Sequence, residues 1–226
     1  MDLPINQIIC GDCLEVMKDW PDGCADLVLT DPPYGLGDRL KGGAGEWSKG
    51  FSVAPEWDTE IFKGIEKVIA VATNAVVWGG NYYALPATRG WMIWDKMQSH
   101  TSGHAELAWT NIDIPIRTFR KSRVESYGSM DKRHPTQKPL DLMMWCLSFT
   151  PEASIILDPF CGSGTTCVAA KLLGRNYIGI DISEEYCQIA RDRLKAVDTG
   201  VPIKEARKGQ LPLWDAPTGL ETNIKG

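Results

Sequence analysis

Two short stretches, far apart in the chain, carry residues able to do chemistry. Thr30-Asp31-Pro32-Pro33-Tyr34-Gly35 sets a carboxylate beside two prolines and an aromatic ring. Leu157-Asp158-Pro159-Phe160-Cys161-Gly162-Ser163-Gly164-Thr165-Thr166 sets a second carboxylate ahead of a glycine-rich turn. Asp31 can accept a proton or a hydrogen bond, the prolines stiffen its backbone, and Tyr34 offers an aromatic face. Gly162 and Gly164 have no Cβ, so the backbone there can approach a ligand closely and open a helix. The loop is not G-x-x-x-x-G-K and lacks a full G-x-G-x-x-G, which argues against nucleoside triphosphate and dinucleotide sites.

Each stretch must be held by a strand. Ala25-Asp26-Leu27-Val28-Leu29 and Ser154-Ile155-Ile156-Leu157 are apolar runs of buried-strand length that break at the following Asp-Pro. Two such turns fit the carboxyl edge of one parallel sheet, where open α/β sheets bind ligands. Further strands are predicted at residues 7–10, 75–78, 91–94, 104–109 and 175–180, making seven. Helices are predicted around residues 14–17, over 55–72 from the spacing of Ile61, Ile65, Val68, Ile69 and Ala72, briefly at 81–85, over 140–149, and after Ser183. Asp181 closes a strand about 20 positions beyond Asp158, the spacing of a ribose-hydroxyl ligand in nucleotide folds. Asp12 stands at a strand tip, where it can cap a helix or face a ligand.

Asp31-Pro32-Pro33-Tyr34 resembles the catalytic tetrapeptide of amino-methyltransferases acting on nucleic-acid bases. Asp158-Pro159-Phe160-Cys161-Gly162-Ser163-Gly164 resembles their S-adenosylmethionine loop, and His134-Pro135-Thr136-Gln137-Lys138-Pro139 the segment ahead of it. With the tetrapeptide N-terminal to the loop, the order is that of the beta class of DNA methyltransferases, and the likeness runs over residues 11–194. It implies an α/β, Rossmann-like S-adenosylmethionine-dependent methyltransferase fold, a mixed, mostly parallel seven-stranded sheet flanked by helices in circularly permuted motif order. It implies Asp31, Pro32, Pro33 and Tyr34 as the catalytic group. Asp31 and the Pro32 carbonyl would accept the two amino protons of a flipped base, and Tyr34 would stack on it. It implies S-adenosylmethionine held by Asp12, Cys13, Asp31, Gln137, Lys138, Asp158, Phe160, Gly162, Ser163, Gly164, Thr165, Asp181 and Ile182. Gln137 and Lys138 are its expected carboxylate partners. Asp31 fits adenine N-6 better than cytosine N-4, since the cytosine enzymes often carry Ser there; both bases stay open. An RNA or protein-amide methyltransferase fits the order less well. A dead DNA-binding module would have no reason to keep Asp31 and the loop.

Composition suits this reading. The 226 residues are 43% hydrophobic and 23% charged, ordinary for one soluble domain. The expected domain is 1–196, with a tail at 197–226. No apolar run reaches the roughly 20 residues of a membrane span, and the N-terminus has no signal-peptide pattern, so a cytoplasmic location is expected. The seven cysteines are scattered and read as reduced thiols. Cys10 and Cys13 form a C-x-x-C with no second pair and no nearby His, so no metal site is expected.

The net charge of −5 hides a basic stretch at 111–133, where six basic residues meet three acidic ones for a local +3. Phosphate binding needs such a patch rather than a basic average. Arg117, Arg120, Lys121 and Arg123 are its expected DNA contacts, a solvated loop being the alternative. The glycine-rich segment 36–55 reads as a mobile lid carrying two more, Arg39 and Lys41. Double-stranded DNA is thus the expected partner of a monomer or homodimer. In the tail, Gln210-Leu211-Pro212-Leu213-Trp214 resembles the peptide by which bacterial proteins dock on the replication sliding clamp. Its apolar side chains could equally fold back onto the domain.

Overall fold

The structure is a computed structural model and describes residues 2–35, 60–97, 104–122 and 138–200. Arg39, Lys41, Arg123, Gln137, most of the His134 segment, the proposed lid and the clamp-like Gln210–Trp214 peptide lie outside those residues.

Among the described residues, eight strands form one sheet: β1 Gln7–Cys10, β2 Ala25–Thr30, β3 Ala72–Trp78, β4 Trp91–Asp95, β5 Ala105–Thr110, β6 Arg117–Arg120, β7 Ile155–Asp158 and β8 Asn176–Asp181. Their order is β1-β8-β7-β2-β3-β5-β4-β6. Among them only β5 runs antiparallel to its neighbours. The seven expected strands are present, and β6 is the correction. Its sequence shows no strand pattern because only Phe119 of its four residues turns inward, onto Trp145 at 5.5 Å. A short, arginine-bearing strand is a usual way to blunt a sheet edge.

The helices are α1 Cys13–Val16, α2 Ile65–Ala70, α3 Leu140–Leu147, α4 Thr165–Leu172 and α5 Glu184–Thr199, with a 3₁₀ turn at Gly80–Tyr82. Of the helix predicted over 55–72, the described residues 60–72 keep only α2. Gly64 sits at φ 114°, which no right-handed helix can pass, Ile61 bridges to Tyr34, and Ala72 already belongs to β3. At the other end α5 continues past the boundary expected at residue 196 and stops on Gly200 in the left-handed region.

Strand residues alternate between two apolar layers, as a sheet covered on both faces requires. Leu27, Leu29, Val76, Trp78 and Ile156 pack on the side of α3, α4 and α5. Val28, Ala75, Val77, Leu157 and Ile178 pack on the side of α1 and α2 with Met17 and Trp20. Winding reverses between β7 and β2. From β7 the chain crosses to β8 on one side, and from β2 to β3 on the other, so both acidic turns open at the switch point. The register Leu27↔Ile156 and Val28↔Leu157 brings Asp31 and Asp158 to the same edge. At the far end Asp26 Oδ2 accepts the N–H groups of Ser154 and Ile155, both at 2.8 Å, and locks that register.

Gly164 is where α4 meets α5: its φ is +78°, and a Cβ there would stand 2.7 Å from Cβ of Ala190. Gly162 is also left-handed, at +49°, but a Cβ there would meet nothing within 4 Å. Gly164→Ala should therefore destabilise the fold by about 2–5 kcal/mol, combining backbone strain with overpacking. Gly162→Ala should cost only the backbone part, about 1–2 kcal/mol. Urea unfolding of both variants checks this, and equal losses would remove the helix-packing role of Gly164.

Candidate active site

The turn after β2 is braced from several sides. Pro32 is buried, and the Pro33 carbonyl accepts the Phe62 N–H at 3.3 Å and the Tyr83 hydroxyl. The Tyr34 hydroxyl donates to Asp31 Oδ1. Its ring lies over Gly79, where a Cβ would overlap it, and stacks on Tyr82 at 5.1 Å and 22°. Tyr82, within the short helix expected at 81–85, is thus an exposed aromatic at this turn.

The loop after β7 is held from below and behind. Asp158 is buried, and its Oδ1 accepts from the Thr30 hydroxyl at 2.8 Å and the Phe160 N–H at 3.2 Å. Asp181 Oδ2 accepts the Gly162 N–H at 2.8 Å, and its Oδ1 the Ser183 N–H at 2.9 Å. Burial pushes the Asp181 carboxyl up against those two hydrogen bonds. Arg193, buried on α5, donates from one nitrogen to Ser163 O (2.6 Å), Ser163 Oγ (3.0 Å) and Thr165 Oγ1 (3.1 Å). Asp12 caps α1, its Oδ1 accepting from Leu14 N at 2.8 Å and Glu15 N at 3.2 Å.

A chain of alternating charges runs into this site. The Lys138 ammonium, 9% exposed, meets Asp31 Oδ2 on one side and Glu106 Oε2 at 3.1 Å on the other. Lys96 Nζ meets Glu106 Oε1 at 2.6 Å. Lys138 lies 5.8 Å from the Trp78 ring centroid and Lys96 5.4 Å from that of Trp94, so aromatic faces replace water around both cations. Burial would raise the Glu106 carboxyl, but Lys138 and Lys96 outweigh it and hold the group at about 2. Burial would lower the Lys138 ammonium, but Asp31 and Glu106 raise it above its ordinary value.

One cleft of about 340 Å³ collects most of the sequence-predicted residues: Asp12, Cys13, Asp31, Pro33, Lys138, Asp158, Phe160, Gly162, Ser163, Thr165, Asp181 and Ile182 all line it. Pro32, Tyr34 and Gly164 are not on its wall. Lys138, expected to face a ligand carboxylate, is directed at Asp31 and Glu106. The hydroxyls of Ser163 and Thr165 are taken up by Arg193. Arg117, Arg120 and Lys121 lie on and just after β6, four strands from β2, with its carboxyl end at the same sheet edge. Arg117 is exposed, Arg120 Nε pairs with Asp95 at 3.1 Å, and Lys121 pairs with Asp141. Cys10 is exposed and Cys13 buried, and the two are not bridged. Cys10 clusters instead with Glu184 and Cys187, ligand atoms within 4.8 Å, while Arg191 takes up Glu184 at 2.6 Å. All seven cysteines are free thiols. Sequence reasoning missed Glu106, Lys96, Tyr82 and Arg193. The available signals were a lone acid inside the apolar run Ala105–Thr110 and an arginine one turn beyond Ala190 on a buried helix face.

Asp158 has a pH signature. Burial pushes its carboxyl up to about 6, against hydrogen bonds from Thr166, Thr30 and the Phe160 N–H. The folded value exceeds the unfolded one of about 3.9, so the folded state binds the proton more tightly. Its stabilising contribution is complete below about pH 4 and is lost as pH rises through about 6. Asp158→Asn should flatten that part of the stability curve, because Asn keeps an acceptor and has no proton to lose. Urea unfolding between about pH 4 and 8 tests it, and an unchanged slope in the variant would assign the dependence to another group.

Comparison with known proteins agrees with this geometry. The model of a family described as DNA methylase matches residues 77–192, which include Lys138 and the Asp158 loop and exclude the Asp31 turn. YubD of Escherichia coli K12 is 31% identical over 215 residues, covering 85% of this chain and 92% of its own. The type II methyltransferase M.HinfI of Haemophilus influenzae is 27% identical, covering 85% of this chain and 69% of its own. Among solved structures, the M1.HpyAVI–SAM complex is 26% identical with a TM-score of 0.54, over 83% of this chain and 98% of that one. The cytosine-N4-specific PvuII DNA methyltransferase, at 20% identity and a TM-score of 0.60 over 89% of each chain, shares the fold. With its family model matched over half its length and a relative above 30% identity along nearly all of it, the chain belongs to the N6/N4 DNA methylase family.

Proposed function

We propose that this chain transfers a methyl group from S-adenosylmethionine to the N-6 amino group of adenine in double-stranded DNA. The observation that carries the reading is the meeting of two carboxylate turns on one cleft at the switch point of the sheet, Asp31 after β2 and Asp158 after β7. The cleft fits the cofactor. Its volume is within the usual range for small-molecule sites, and Gly162 leaves open space where a side chain would stand. Phe160 and the 72% exposed Ile182 supply apolar faces, and Asp12 and Asp181 supply acceptors for hydroxyl and amino groups. When bound, the cofactor supplies an electrophilic methyl on a sulfonium.

The chain's own residues prepare the nucleophile. An exocyclic amine is weakly nucleophilic because its lone pair is delocalised into the ring. Asp31 accepts one N–H and the Pro32 carbonyl the other, which favours a more tetrahedral nitrogen with its lone pair free. Lys138 holds one oxygen of Asp31 and Tyr34 the other, so the acceptor is fixed before the base arrives. A base within a duplex cannot reach such a cleft, so the target is flipped out, and the stacked Tyr34 and Tyr82 offer it aromatic faces at the turn. Asp31, rather than Ser, at the head of the tetrapeptide favours adenine. Arg117 and Arg120, exposed on β6, are the proposed phosphate contacts, since surface ion pairs such as Arg120–Asp95 exchange readily.

Incubation with S-adenosylmethionine and mixed-sequence DNA, followed by nucleoside mass spectrometry, should yield N6-methyldeoxyadenosine. N4-methyldeoxycytidine would assign the cytosine reaction instead. Asp31→Ala should lower turnover at least about 100-fold while cofactor affinity stays within a few-fold. Comparable turnover would remove Asp31 from its role. Replacing Arg117 and Arg120 together by Ala should flatten the salt dependence of DNA binding, by a slope of about 0.9 for each phosphate no longer neutralised. A wild-type slope would make β6 only a sheet edge.

A further inference from the structure

Resting on that reading, we infer that Glu106 is a positioning residue for the methyl transfer: backed by Lys96, it holds the Lys138 ammonium on Asp31 and so fixes the direction of the Asp31 carboxylate. Glu106 does not line the cleft, and it reaches the reaction only through Lys138.

Three features point to this role. Glu106 uses both oxygens, one on each lysine, at 2.6 and 3.1 Å, so it cannot swing without breaking an ion pair. The two lysines come from different segments, one after β4 and one ahead of α3, and are both nine-tenths buried. Lys138 therefore carries the restraint from the β4–β5 side of the sheet across Trp78 to the β2 turn. The order of charges, Lys96, Glu106, Lys138, Asp31, sums to zero. Removing one member leaves a buried charge uncompensated, which is far costlier than the pair is stabilising. A structural purpose alone would be met by apolar side chains of the same size.

The groups around Lys138 define its titration. Asp31 and Tyr34 face it from the β2 turn, Asp158 lies on the β7 turn, Glu106 on β5 and Lys96 after β4. Asp141 on α3 is taken up by Lys121, and Asp95 at the end of β4 by Arg120. His104 precedes β5. Glu106 and Asp31 are the two anions that favour the charged lysine, so losing Glu106 must make Lys138 easier to deprotonate. Losing Lys96 acts oppositely. It leaves Lys138 with both anions and makes Glu106 easier to protonate.

The test uses the full chain with Glu106→Gln, Glu106→Asp and Lys96→Met. Lys138 is followed by NMR of isotope-labelled lysine, as the signal absent from Lys138→Met, from about pH 6 to the alkaline edge of the folded range; wild-type Lys138 stays charged up to that edge, so a lowered midpoint shows as the onset of its titration inside the range. Methyl transfer is measured over the pH range in which the protein stays folded. Glu106→Gln should lower the Lys138 midpoint relative to wild type, bring the alkaline limb of the kcat profile to lower pH, and reduce kcat about 10- to 100-fold. KM for cofactor and DNA should change only a few-fold, and Glu106→Asp should recover part of the loss. Lys96→Met should leave the Lys138 midpoint no lower and shift the acid limb upward. A uniform loss at all pH values with an unmoved Lys138 midpoint overturns the inference. If Glu106→Gln does not fold, the Lys96→Met limb and the Glu106→Asp midpoint decide it. If wild type transfers no methyl to DNA, the activity reading falls, and the Lys138 titration still decides whether Glu106 governs that lysine.

Discussion

Thr30 and Asp158 end two parallel strands that hydrogen-bond to each other, and their side chains meet at 2.8 Å beneath the cleft. That hydrogen bond fixes the height of the Asp31 turn relative to the glycine loop. It is possible only because β2 and β7 pair in register, which Asp26 enforces from the opposite end through two backbone N–H groups. A slip of one residue would turn the layer of Leu27 and Leu29 onto the wrong face and move both carboxylates off the edge together. The chemistry of the site is thus a consequence of sheet register, and register is a consequence of which strand residues must be buried.

Around that frame, each acidic group is held in its own way. Asp31 meets Lys138 and Tyr34, Asp181 accepts from Gly162 in the loop and from Ser183 in the turn to α5, and Asp12 caps α1. These bonds orient the oxygens before any ligand arrives, which lowers the reorganisation that binding must accomplish. Arg193 does the same for the loop from the side facing away from the cleft, its guanidinium gathering Ser163 and Thr165 onto α5. Gly164 lets α5 come close enough for that arginine to reach.

Much of this was legible in the sequence, because it rests on local rules. Apolar runs broken by Asp-Pro mark the two central strands and their turns, and a capping Ser followed by two Glu marks α5. The Asp31, Asp158 and Asp181 positions on the cleft wall follow from those strand ends. What escaped depends on partners distant in sequence. Glu106 is one acid in an apolar strand until Lys138, ahead of another helix, is placed beside it. Tyr82 is one aromatic in a short helical segment until Tyr34 stacks on it. The overlong helix at 55–72 failed because apolar spacing cannot reveal that Gly64 takes a positive φ, and β6 failed because one inward side chain makes no pattern.

The sign of the charge in the cleft follows from the same set of groups. Among the described residues, four carboxylates line it, Asp12, Asp31, Asp158 and Asp181, against the ammonium of Lys138. Lys138 is already committed to Asp31 and to Glu106 outside the wall, so the described part of the wall carries net negative charge in partly desolvated surroundings. Such a field favours a ligand with net positive charge and weakens binding once that charge is gone. The proposed donor carries a sulfonium cation, and the product left after methyl transfer does not. On the proposed reading these described carboxylates favour the loaded cofactor over the spent one by charge, and Asp158, whose burial makes the fold pH-sensitive, is one of them.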